Sequence, residues 1–169
     1  MKNINKKQNY KKGITTRTID INGVYNNMKS VLSKRAYYQK QQKELWVVIK
    51  RYGSDKSREM DVIDEHIGKC SYDMNKLIGE LCQYKKTHKA MNLAYDYLDR
   101  EINRIKKIIS SKNELIYEVR IGYTNLISSR GVTHSDPTNL INYVAKKEGQ
   151  LRRLENWRNV VSKYREVGR

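Results

Sequence analysis

The sequence contains no phenylalanine, one proline, nine glycines and two cysteines among its 169 residues. Each shortage excludes something. With so few turn-forming residues, the chain has little punctuation for a many-stranded fold and favours long uninterrupted elements. Hydrophobic residues make up only 38%, which is thin for a compact globular core. Long helical hairpins, whose core is small relative to their surface, suit such a chain better. Cys70 and Cys82 are twelve positions apart. On one helix they would be about 18 Å apart, too far to bridge. They read as small apolar packing residues of a chain kept in a reducing compartment. No run reaches the roughly 18 apolar residues of a membrane span, and no secretory hydrophobic region is present. The expected location is intracellular, in the cytoplasm of a host cell, or a virion.

Positive charge is what the chain has in excess. The formal net charge is +17, and it is unevenly placed. Residues 1–17 hold six Lys/Arg and no acid, residues 29–58 nine basic against two acidic, and residues 59–101 nine acidic against six basic. A basic body with one acidic belt points to a polyanionic partner. The tail MKNINKKQNYKKGITTR is polar and aperiodic and is expected to be a flexible arm over residues 1–20.

Apolar residues then fall into steps of four and three, the 3.5-residue period of a helix seam. The first register runs Val24, Met28, Val31, Arg35, Tyr38, Gln42, Leu45, Ile49, Tyr52 and stops at Gly53, a natural helix-ending residue. The second runs from Met60 through Ile63, Ile67, Cys70, Met74, Leu77, Leu81, Tyr84, His88, Met91, Tyr95, Leu98, Ile102, Ile105 and Ile109, and keeps phase to Leu126. Ser111 and Glu114 have the spacing of a capping box, so the spacing predicts helices over 22–52, 56–110, 112–130 and 137–167. The last is started by Asp136 and Pro137. Val62, Ile78, Cys82, Leu93 and Tyr97 widen the stripe beyond a two-stranded seam. The expected fold is therefore all-α: an elongated bundle or coiled-coil-like hairpin of three to four long helices. Residues 21–130 would form the bundle, and 131–169 a loop plus a basic helix packed on it. The packing residues are Met60, Ile63, Ile67, Met74, Leu77, Leu81, Met91, Leu98, Ile102 and Ile105.

Reactive groups are few. His66 and Cys70 stand four apart, on one helix face, but no second ligand pair accompanies them, and zinc needs three or four ligands. Neither thiol has a legible Asp/His constellation around it. Asp61, Asp64 and Glu65, with Asp96, Asp99 and Glu101, resemble over about ten residues the acidic pairs by which all-α nucleotide pyrophosphohydrolases hold Mg²⁺. That resemblance implies nucleotide hydrolysis. The acids here are mainly Asp rather than Glu, and in the heptad frame they flank the seam, so they read as a solvated acidic face. No metal, cofactor or catalytic residue is expected, and the chain is read as a non-enzyme.

Basic residues interleaved with tyrosine are the remaining signal, most densely in SKRAYYQKQQK at 33–43. Lys6, Lys7, Lys11, Lys12, Arg17, Lys34, Arg35, Lys40, Lys43, Arg152, Arg153 and Arg158 are the candidate contacts to nucleic acid or an acidic partner, non-specific in kind. The reading is a structural or assembly protein of a nucleoprotein particle, a viral or phage virion component or a ribonucleoprotein subunit. Its partners would be other protein subunits in a homo- or hetero-oligomer. The alternative is a nucleic-acid-binding regulator of a mobile element that dimerises through its heptads.

Overall fold

The computed structural model describes residues 19–53, 56–123, 126–127, 133–134 and 136–166. It is a helical bundle of four helices, as expected: α1 Ile21–Tyr52, α2 Ser57–Leu81, α3 Lys89–Arg120 and α4 Thr138–Ser162. Between α3 and α4, β1 Leu126–Ile127 pairs antiparallel with β2 Thr133–His134. The basic arm lies outside the described residues up to position 18.

Local chemistry sets most helix ends. Asp20 Oδ1 accepts from the Gly23 N–H at 3.1 Å, which satisfies one orphan donor at the start of α1. Gly53 closes α1 at φ 60°, its N–H donating to Ile49 O at 3.0 Å. Only glycine reaches that backbone region without steric cost. At the start of α4, Asp136 Oδ1 accepts from the Thr138 N–H at 2.9 Å, the role expected of it.

Two boundaries differ from the expectation. The stretch 56–110 is not one helix: α2 ends at Leu81, and α3 begins at Lys89. The chain reverses through Lys85, which has φ 45°. His88 is extended at φ −161°, and its Nδ1 accepts from the Ala90 N–H at 3.0 Å, so it caps α3. The expected break at Ser111 is absent, and both Ser110 and Ser111 lie inside α3. The end of α3 is fixed instead by a Schellman turn. Gly122, at φ 73°, donates to Val119 O, and Tyr123 donates to Glu118 O at 2.9 Å. The expected helix over 112–130 therefore stops at Arg120.

Neighbouring helices are antiparallel, in two hairpins. Tyr38 meets His66 and Gln42 meets Asp64 across α1–α2; Asp99 meets Arg158 and Lys106 meets Glu155 across α3–α4. The hairpins share one core, formed by Val24 and Met28 of α1, Met74 and Ile78 of α2, Met91 to Ile105 of α3, and Leu154 and Val161 of α4. Beyond it each hairpin has only its own small seam. Leu45 and Met60 are buried in the first, and Ile116, Val119 and Val144 in the second. The expected packing residues hold their place: Met74, Leu81, Met91, Leu98, Ile102 and Ile105 have no exposed surface, Met60 is buried, and Ile63, Ile67 and Leu77 are half-buried. All of this packing is within one chain.

Of the twelve described tyrosines only Tyr97 is buried. The others line borders where a ring meets apolar neighbours and its hydroxyl meets water, a larger share of a thin bundle than of a globule. Several carry a cation over the ring, among them Tyr95 under Arg165 at 3.9 Å and Tyr25 under Lys89 at 4.6 Å.

Candidate interaction surfaces

Three acids of the belt, Asp64, Asp99 and Glu101, bond to side chains of another helix. Glu101 is buried, and its two oxygens are divided between two arginines. Arg35 Nη2 donates to Oε1 at 2.6 Å, and Arg104 donates to Oε2 from Nη2 at 2.8 Å and from Nε at 3.1 Å. Burial raises the Glu101 pKa, but the hydrogen bonds from Arg104 and Arg35, with their charges, outweigh it and hold the carboxyl below its ordinary value. Arg35 also lies over the Tyr97 ring at 5.4 Å. Tyr97 itself is raised, first by burial and then by the charge of Glu101. Asp99 pairs with Arg158 at 3.0 Å, Glu155 with Lys106 at 3.0 Å, and Asp64 accepts from Gln42 at 2.5 Å.

These pairings correct two of the sequence assignments. Arg35 is not a surface contact: its side chain is 10% exposed and is bound to Glu101 across the α1–α3 interface. Arg158 already faces Asp99, which leaves it partnered. The acidic clusters do not converge into a metal cage either. Asp64 answers to α1, Asp99 to α4, and Glu101 to Arg35 and Arg104. Among the described residues no group of three or more His, Cys, Asp or Glu could hold a metal ion.

The remaining expected cations stay on the surface. Lys34, Lys40 and Lys43 on α1 are exposed, as are Arg152 and Arg153 on α4. Only Lys40 has a carboxylate near it, Glu44 at 3.8 Å, one turn along and open to solvent. Lys6, Lys7, Lys11, Lys12 and Arg17 lie outside the described residues. Lys29, Lys50 and Arg51 are also exposed on α1 and were not singled out from the sequence. Their signal was the charge count of the helix rather than any motif.

His66 does not act with Cys70. It stacks on Tyr38 at 4.5 Å, with the two rings inclined by 5°, while Cys70 is buried. Tyr37 meets Tyr38 edge-on at 5.4 Å and is 59% exposed. Burial pushes the Cys82 thiol up to about 11, which keeps it protonated and unreactive at neutral pH.

No family model, curated protein or solved structure matches the chain. Among the described residues no helix is long and apolar enough to cross a membrane.

Proposed function

We propose that this chain is a non-enzymatic structural or assembly protein of a nucleoprotein particle, a virion component or ribonucleoprotein subunit. It packs through helices and holds nucleic acid or an acidic partner on its basic surface. The observation that carries this reading is the set of lysines and arginines left exposed on α1 and α4. Glu101, Asp99 and Glu155 are drawn into contacts between helices, whereas Lys34, Lys43, Arg152 and Arg153 have no carboxylate partner among the described residues. These cations of α1 and α4 face outward. Lysines and arginines spread along helices fit a phosphate backbone without reading its sequence. In the regulator alternative the heptads would serve dimerisation, but here the registers of Met74 to Ile105 are filled by helices of the same chain.

The test is a triple charge reversal at exposed positions, Lys43→Glu with Arg152→Glu and Arg153→Glu, followed by fluorescence anisotropy on a labelled duplex and a labelled single strand. The reading predicts about a tenfold or greater loss for both ligands and a shallower salt dependence. Unchanged binding, or binding by neither protein at low salt, would refute it.

A further inference from the structure

The side of the α1–α2 hairpin away from Arg35 and its α3 partner is an open groove. Two clefts follow one another along it, of about 530 and 490 Å³. Tyr37, Tyr38 and His66 line the first, and Val48, Val62 and Ile63 the second. Tyr37 and Val62 are more than half exposed, at 59% and 53%. The buried apolar residues along this stretch of the hairpin are few: Leu45, Met60 and Cys70. Most helical stability in proteins comes from packing an apolar face, so a layer over the groove would add what the seam lacks.

The charges around the groove say what fits. At one end Lys34 and Lys69 stand across from each other on α1 and α2, with Asp73 one turn beyond Lys69 in the same cleft; at the other end Glu44 and Glu59 face each other. On each helix the basic and acidic levels are ten residues apart (34 to 44, 59 to 69), about 15 Å. A surface with a middle of Tyr37, Gln41, Val62 and His66, a pair of lysines at one end and a pair of glutamates at the other, equally spaced on both helices, is self-complementary under a two-fold rotation. We infer that the groove is the interface for a second copy of this chain, the two α1–α2 hairpins packing face to face and antiparallel. Lys34 of each copy then falls on Glu44 of the other, and Lys69 on Glu59, while Tyr37 and Val62 are covered. The parallel arrangement would set lysine on lysine and glutamate on glutamate, and is disfavoured. Glu44 and Glu59 now have Lys40 at 3.8 Å and Lys56 at 3.1 Å as intrahelical neighbours. Such exposed pairs are weak and exchange readily. An isologous contact of this kind closes on itself as a dimer. The inference deepens the assembly reading by naming one partner, but it does not depend on nucleic-acid binding.

Sedimentation equilibrium of the full chain, in buffer without nucleic acid, tests it with three variants. Val62→Asp, at an exposed position, should weaken the dimer about tenfold or more while circular dichroism stays unchanged. Lys34→Glu with Lys69→Glu should weaken it too, and adding Glu44→Lys with Glu59→Lys should restore it. A protein that is monomeric throughout, or a dimer indifferent to Val62→Asp, overturns the proposal. A dimer that responds to Val62→Asp but not to charge reversal overturns the antiparallel arrangement. Anisotropy on the Val62→Asp protein separates this result from the polyanion reading, because the groove variant leaves Lys43, Arg152 and Arg153 in place.

Discussion

Arg35 and Glu101 form a buried ion pair between α1 and α3, 2.6 Å apart, with side chains only 10% and 7% exposed. Removing one partner leaves the other charged and desolvated. Arg35→Met and Glu101→Leu should therefore each cost about 3–5 kcal/mol in urea unfolding. The double variant should recover most of that, because an apolar pair of similar volume needs no compensation. Equal and additive losses in a double-mutant cycle would show that the two residues do not act on each other.

The same pair sets a pH dependence. Glu101 is held below its ordinary 4.5 in the folded chain. Its contribution to stability is thus fully present above that value and is lost as pH falls through the lower folded one. Tyr97, raised above its ordinary 10.0, acts at the other limit. Its contribution is fully present below 10 and is lost as pH rises through the folded value. Glu101→Gln should flatten the acid limb of a stability-against-pH profile and leave the alkaline limb in place. An acid limb unchanged by Glu101→Gln would contradict the assignment.

How the chain divides its core predicts which truncations it tolerates. Ile102 has no exposed surface and belongs to the core that the helices share. Ile102→Ala should cost about 2–5 kcal/mol by lost burial and cavity formation. Val62, 53% exposed, should change stability by no more than about 0.5 kcal/mol on truncation in the monomer. Thermal unfolding under dilute conditions measures both.

Cys82 should react slowly with a thiol reagent at neutral pH and speed up toward pH 11, since the thiolate is the reactive form and burial holds the thiol at about 11. Cys70 is buried, with 7% of its surface exposed at the edge of the α1–α2 cleft, and should also react slowly. Rapid labelling of both thiols in the native protein would contradict this packing.

Much of the bundle was legible because seam spacing reports which residues are buried. Met74, Leu81, Met91, Leu98, Ile102 and Ile105 stand in the register and in the core. The same spacing does not report whether the backbone between two seam residues is helical. Tyr84 and His88 keep the phase and are half-buried, yet they belong to the turn joining α2 to α3. Ser111 and Glu114 have cap spacing, but apolar residues continue on both sides of them, Ile108 and Ile109 before and Leu115 and Ile116 after, and α3 runs through. Arg35 carried its own signal. A charge at a seam position announces a buried partner, although nothing in the chain's order named Glu101, 66 residues away. The basic surface was legible as charge, while the groove between the α1–α2 ends required the pairing of 34 with 69 and 44 with 59.

The central claim is that outward-facing positive charge holds a polyanion without reading it. The most direct measurement is the affinity of the full chain for two duplexes of unrelated sequence and equal length, across a salt series from ~0.05 to ~0.2 M. The account predicts the same affinity for both at every salt, falling along a steep log–log line. A preference for one duplex that persists at ~0.15 M salt, or an affinity indifferent to salt, would contradict it.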